Sequence, residues 1–274
     1  MSKKVTKIEL LVVAVAHTIN DGDKVVLGVG APMLAGALAK ALHAPNAVLM
    51  MESGMVDFEP LLPPRHVADV MCLKGFPYST DLFNTFTTIT YRGYVDKTIL
   101  GVGQVDKYGN VNTSFMGGGP TTGMRLTGAG GAPDFMSYAK ETILCLKGGK
   151  FVEELDYHTS PGYLGGGDER DRSGLFPQGS GPSMLISPDG IFRFDPETKE
   201  MYLESVIPGV TVEEVKARVP WDLKTLDPLK EYPVPKKEET DFLRSFAPYA
   251  SFPNSIMMEL AMQHYTQEEQ RKAG

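Results

Sequence analysis

Cysteine is almost absent from this chain, with only Cys72 and Cys145 among 274 residues. Both stand in apolar-leaning stretches, with no CxxC and no Cys/His grouping. That excludes a disulfide-stapled scaffold, predicts two buried thiols, and fits a reducing, cytoplasmic setting. Basic excess is also lacking. The formal net charge is -7 and there is no long Lys/Arg run, so no nucleic acid and no anionic membrane is expected as the main partner, although local cations remain available for a small anion. No apolar run approaches the ~18 residues of a membrane span. His17, His43, His66, His158 and His264 show no metal-ligand spacing to one another, and there is no HExxH, GxSxG or P-loop, so no metal centre is expected.

What remains is an ordinary globular composition, 42% hydrophobic and 22% charged, with enough chain for a sizeable core. Lys3 and Lys4 precede the apolar stretch Leu10–Ala16, as in a signal peptide. Lys7 and Glu9 crowd that stretch and it runs on into a second apolar run, so a first amphipathic helix over Ile8–Ile19 is the reading. After the turn at Asn20-Asp21-Gly22 come a strand (Lys24–Leu27), a glycine loop (Gly28–Pro32), a helix (Met33–His43) and a strand (Ala47–Met51). Thr98–Val102 and Ile143–Leu146 read as further buried strands. The alternation predicts an α/β fold, an open, mostly parallel sheet flanked by helices. Ser183–Ser187, Ile191–Phe194 and Met201–Val206, separated by turns, predict an added β-meander on the sheet edge or over it. Thr211–Arg218 reads as a short helix, 219–240 as a proline- and charge-rich surface segment, and Ser255–Gln270 as a closing helix. The organisation expected is one domain over 1–274: an α/β core (6–150), a strand-rich part (151–210) and a C-terminal extension (211–274).

Four segments carry possible chemistry. Glu52 follows the buried strand and precedes the turn Ser53-Gly54. A carboxylate at the carboxyl end of a buried strand lies where open α/β sheets bind ligands, and it is costly there without a partner. It is either a structural group, capping a following helix or paired with Arg65, or a covalent nucleophile toward an activated acyl group. Gly28-Val29-Gly30-Ala31-Pro32 lets the backbone approach a ligand ahead of a helix. With Glu52 about twenty residues on, it mimics a dinucleotide fingerprint, but Met33 stands where the third glycine belongs. Gly128-Ala129-Gly130-Gly131 offers backbone N–H groups to an oxyanion or phosphate, or is a flexible turn. Gln104–Thr113 contains a Tyr-Gly-Asn turn in which Asn110 and Asn112 orient backbone or ligand.

Jointly, GVGAP (28–32), MMESGMVD (50–57), GQVDKYGNVNTS (103–114), RLTGAGGA (125–132), DYHTSPG (156–162) and GIFRFDPETKEMYLESVIPGV (190–210) resemble the β subunits of class I coenzyme A transferases, those of the glutaconate type most of all. The resemblance covers almost the whole chain. It implies that Glu52 is the nucleophile, forming a glutamyl-CoA thioester. It implies that Gly28, Val29, Gly30, Ala31, Gly128, Gly130 and Gly131 line the oxyanion and CoA site. Ser53, Gly54, Met55, Phe76 and Tyr78 are the expected substrate pocket, with Phe58 nearby. It further implies a homologous α subunit completing the active site at the interface, further assembly of αβ units, acyl-CoA and carboxylic acid substrates, and no permanently bound cofactor. Relatives on the same fold decarboxylate an acyl-CoA or hydrolytically open a ring. A CoA-ester hydrolase or decarboxylase is therefore the alternative, and a regulatory subunit lending only its surface is a third reading.

Overall fold

The computed structural model describes residues 4–60, 63, 64, 66–69, 72, 75–118 and 121–246. In chain order the strands are β1 (Lys24–Leu27), β2 (Val48–Met50), β3 (Met55–Val56), β4 (Tyr78–Ser79), β5 (Lys97–Gly101), β6 (Gln104–Val105), β7 (Val111–Asn112), β8 (Phe115–Met116), β9 (Met124–Arg125), β10 (Glu141–Cys145), β11 (Lys150–Phe151), β12 (Pro182–Ile186), β13 (Gly190–Phe194), β14 (Met201–Val206) and β15 (Lys224–Thr225). The helices are α1 (Lys7–Ala16), α2 (Ala31–Leu42), α3 (Leu82–Asn84), α4 (Ala132–Tyr138), α5 (Glu169–Arg172), α6 (Val212–Lys216) and α7 (Lys237–Phe246). A π-helical stretch, Thr85–Thr90, continues α3.

One ten-stranded sheet organises the chain, in the order β15-β14-β13-β12-β10-β5-β1-β2-β3-β4. Its centre, from β2 to β12, is parallel. Parallel strands are covered on both faces, and β1 shows why its sequence is an unbroken apolar run: Val25 and Leu27 enter one core, Val26 the other. On the first face lie α1, α2 and α7; on the second lie α4 and α6. The expected meander is present as β12-β13-β14 and extends the sheet edge rather than lying over it. Past the carboxyl end of β5 the chain builds β6-β7 and β8-β9 before returning as α4; past β10 it adds β11 beside β6, completing the small sheet β11-β6-β7.

Three details differ from the sequence reading. First, α1 is not amphipathic: Leu10 through Ala16 are all buried, because the sheet, α2 and α7 enclose the helix. Second, α2 begins at Ala31, so Pro32 sits inside its first turn, where no N–H is needed. Third, α7 begins within the proline-rich segment. The helix expected at Ser255–Gln270 lies outside the described residues. Among the described residues no helix is long and apolar enough to cross a membrane.

The seam between α1 and α7 is electrostatic as well as apolar. Glu9 closes the α1 capping box with Thr6 and accepts from Arg244 of α7 at 2.6 and 3.1 Å. Burial alone would raise its pKa, but the Arg244 and Thr6 hydrogen bonds and the Arg244 charge outweigh burial and leave it lowered. A lowered carboxyl pKa contributes stability that is present above the unfolded value, about 4.3, and lost as pH falls through the folded one. Replacing Arg244 with Met is therefore expected to lower the melting temperature at pH 7. The gap to the unaltered protein closes below about pH 4; a gap that persists unchanged in acid titration contradicts this.

Candidate active site

The direction of Glu52 follows from strand alternation. Val48 and Met50 pack on the face that carries Phe135 of α4 and Ala139 just after it, whereas Leu49 and Met51 belong to the opposite core. The next residue in this period-2 series is sent to the α4 face. There, the Gly131 N–H donates to Glu52 Oε2 at 2.6 Å, across 79 residues of sequence. Gly131 is the N-cap of α4, so the carboxylate sits at the positive end of that helix. The sequence reading did not anticipate this bond: Glu52 meets a helix start 79 residues on rather than a helix that follows it, and one N–H of the glycine segment 128–131 goes to the carboxylate. Among the described residues no Lys, Arg or His forms an ion pair with Glu52; Arg65 lies outside them.

Glycine is required where these pieces meet. A Cβ on Gly131 would stand 2.7 Å from Glu52 Oε2, 2.6 Å from Phe86 Cζ and 2.8 Å from Phe135 Cε2. Behind the carboxylate, Gly54 N donates to Met51 O at 3.0 Å and Thr80 N to Gly54 O at 2.9 Å. Gly54 has φ +101°, and a Cβ there would fall 1.9 Å from Thr80 O. Ser53 Oγ donates to Val67 O. Lys40 Nζ braces the next turn, at 2.5 Å from Asp57 Oδ1 and 2.7 Å from Ala47 O.

The loop after β1 lies at the same edge of the sheet. Val26 is level with Met50, so continuing the parallel register brings Gly28 level with Glu52. Gly28 N donates to Ile99 O at 2.8 Å, tying the loop to β5. Beyond it Val29 and Gly30 are exposed, and Gly30, at φ +91°, turns the chain into α2. On the other side, Gly128 N donates to Thr113 O at 2.8 Å, while Gly130 is exposed. A Cβ on Gly130 would stand 3.4 and 3.6 Å from the two Glu52 oxygens.

The remaining pocket candidates divide by face. Tyr78, on edge strand β4, pairs with Val56 and shares the Glu52 side of the sheet; it is 52% exposed. Met55 and Phe58 are buried in the opposite core, and Phe76 packs partly buried against it. Asn110 and Asn112 serve the backbone: Asn110 Oδ1 accepts from Gly162 N and Leu164 N, and Asn112 Oδ1 from Ser114 N and Phe115 N. Both cysteines are buried, and burial pushes the Cys72 thiol up to about 11 and the Cys145 thiol up to about 12. Among the described residues no three His, Cys, Asp or Glu side chains are grouped to hold a metal. Sequence reasoning missed Phe86 and Phe135, whose rings lie 5.0 Å apart beneath Gly131. The threonine-rich Thr85–Thr90 carries no helical period that would have revealed Phe86.

Comparison with known proteins shows the family and the fold. The family model for coenzyme A transferase matches residues 8–218. The B-type subunit of glutaconate CoA-transferase from Acidaminococcus fermentans is 34% identical over 224 residues, covering 80% of this chain and 84% of that protein. The crystal structure of glutaconate coenzyme A-transferase from that organism superposes with a TM-score of 0.78 at 31% identity, over 89% of this chain and 95% of that one. The B-type subunit of 3-oxoadipate CoA-transferase from Pseudomonas knackmussii is 33% identical over 239 residues, 86% of this chain and 91% of that protein. The decarboxylase AibA/AibB shares the fold, with a TM-score of 0.73 at 22% identity over 90% of this chain and 96% of that one.

The Met51–Gly54 turn yields a stability test. Replacing Gly54 with Ala adds a clash with backbone and a left-handed φ penalty, together costing roughly 2–4 kcal/mol. Urea unfolding of the purified chain should show the midpoint fall accordingly. An unchanged midpoint would mean the turn is not held against Thr80 as described.

Proposed function

The chain belongs to the coenzyme A transferase family, and on that premise we propose that it is the β subunit of an acyl-CoA:carboxylate CoA-transferase with Glu52 as nucleophile. The observation that carries this reading is the single hydrogen bond from Gly131 to Glu52 Oε2. It orients the carboxylate and leaves Oε1 without a protein donor among the described residues. Both curated relatives are named for dicarboxylic acids, so an acceptor of that class is proposed.

The reaction is balanced by carboxylates alone. Glu52 attacks the thioester carbonyl, the C–S bond breaks, and CoA thiolate leaves a mixed anhydride. The thiolate then attacks the Glu52 carbonyl; the donor acid departs as its carboxylate, and a glutamyl-CoA thioester remains. An acceptor carboxylate reverses the two steps and leaves as its CoA ester. Every addition develops an oxyanion, for which preorganised N–H groups are the usual stabiliser. The N–H groups of Val29, Gly30, Ala31 and Gly130 have no protein acceptor among the described residues, which supports the two glycine segments in that role. CoA thioesters are the substrates on this reading, and no resident cofactor enters any step.

Water has to be kept from the anhydride. In the isolated chain the segment beside the site is open: Tyr78, Leu82, Phe83, Tyr91 and Tyr94 are all exposed, Phe83 at 71%. Phe86, between them in sequence, contacts Gly131. This supports a companion α subunit closing the site over residues 78–94, as expected of a protein whose relatives are themselves named as subunits. The decarboxylase similarity bears on fold alone, and product analysis separates the chemistries.

In the complex with its companion, Glu52→Ala is expected to abolish CoA exchange between acyl-CoA and acid, and Glu52→Asp to leave very little. Full activity in Glu52→Ala would falsify the reading. Free CoA or carbon dioxide formed without any acceptor acid would replace it with hydrolysis or decarboxylation. Phe83→Glu is expected to weaken association with the companion by at least about ten-fold without unfolding the chain, read by analytical ultracentrifugation. Unchanged association would remove residues 78–94 from the interface.

A further inference from the structure

The least expected side chain in the molecule is Arg170, 1% exposed and among the largest fully buried residues. A buried guanidinium is costly unless its donors are satisfied. Every acceptor it uses is neutral. Nη2 donates to Met136 O at 2.7 Å and Ser137 O at 3.3 Å, and Nη1 to Gly162 O at 2.8 Å and Pro161 O at 3.4 Å. Nε and Nη2 reach Ser180 Oγ at 3.4 and 3.2 Å. The guanidinium carbon lies 4.1 Å from the centroid of the Phe176 ring. Burial pushes the Arg170 pKa down to about 10, so the group remains charged at neutral pH.

The two carbonyls of α4 explain the placement. The chain leaves α4 abruptly: Lys140 N turns to Val95 O and Glu141 N to Asp96 O, as the backbone joins the sheet. Met136 O and Ser137 O thereby lose the N–H donors that a longer helix would have provided. Arg170 supplies them, and its positive charge suits the negative end of the helix. It also ties that end to the loop containing Pro161 and Gly162. Seven residues are too few for α4 to hold itself. One end is fixed by Arg170; the other, roughly 10 Å away, presents the Gly131 N–H to Glu52.

We propose that Arg170 is a positioning residue for the Glu52 site: by holding the carboxyl end of α4, it sets where the Gly131 N–H meets the nucleophile. This rests on the transferase reading for its kinetic consequence, though not for its structural one. Arg170 is remote from the reacting atoms and acts only through α4. Lys at the same position keeps a charge but lacks the fork that reaches α4 and residues 161–162 together.

The test compares Arg170→Lys with the unaltered protein in complex with its companion. Arg172→Lys serves as a control, because the Arg172 side chain is exposed and pairs only with Asp168 among the described residues. Misplacing a catalytic group by about 1 Å costs on the order of 100-fold, so kcat should fall about 10- to 100-fold while the KM for acid stays within about two-fold. Amide hydrogen exchange, followed by mass spectrometry on peptides covering 128–135, should quicken about ten-fold there and not across the central strands. Unaltered exchange at 128–135 overturns the proposal, whatever the activity, and so does a uniform rise over the whole sheet. If Arg170→Lys fails to fold, Ser180→Ala decides in its place. It removes one partner of the guanidinium, and faster exchange at 128–135 supports the proposal while unchanged exchange overturns it. An inactive unaltered complex that still protects 128–135 would count against the transferase reading and leave the role of Arg170 intact.

Discussion

The hydrogen bond between Gly131 and Glu52 is the contact on which the rest of the site depends. It joins the end of β2 to the start of α4, two elements separated by most of the α/β core in sequence. Sheet order makes the meeting possible. β2 lies beyond β1, while α4 covers β5 and β10, so a side chain sent to the second face at the end of β2 points toward that helix. Bulk at any junction would break the arrangement. Leu27 Cδ1 would lie 2.3 Å from a Cβ on Gly36 of α2, Thr80 O excludes one on Gly54, and the carboxylate itself excludes one on Gly131. At these three junctions glycine is set by close approach, and at Gly54 by a left-handed φ as well.

The same contact reconciles the structural and chemical readings of the carboxylate. A half-buried carboxylate needs a partner, and a cationic partner would blunt it as a nucleophile. A backbone N–H at a helix start satisfies one oxygen without supplying a full opposing charge. That is a useful compromise for a group proposed to attack a thioester. The surrounding structure is stiff where this compromise is set. Lys40 and Thr80 fix the turn behind Glu52, Phe86 and Phe135 support Gly131 from below, and Arg170 holds the far end of α4.

Much of this was legible in the residues. Apolar runs at β1, β2, β5 and β10 marked buried strands, and the alternation of strands with helix-like stretches signalled a parallel sheet. The glycine clusters at 28–30 and 128–131 and the isolated Glu52 marked the carboxyl edge. Other parts left no trace. Two-residue strands such as β6 to β9 are too short for any period, and the stretch Thr85–Thr90 is polar enough to read as loop. The burial of α1 on all sides depends on α7, about 220 residues away. Arg170 sits in a charged run, Asp168–Arg172, that reads as surface; only tertiary contact with α4 and the loop at 161–162 turns it inward. Local pattern reports which face of an element is apolar, and it is silent on which distant backbone groups need a donor.

The proposed chemistry turns on a covalent bond at one residue, and a single measurement addresses it. The chain, in complex with its companion, is incubated with acyl-CoA in the absence of acceptor acid, digested, and the peptide containing Glu52 is weighed. The expected peptide carries coenzyme A less one water, and the adduct disappears when a carboxylic acid is added. An unmodified Glu52 peptide in a turning-over enzyme, or an adduct at any other residue, would contradict a glutamyl-CoA intermediate at Glu52.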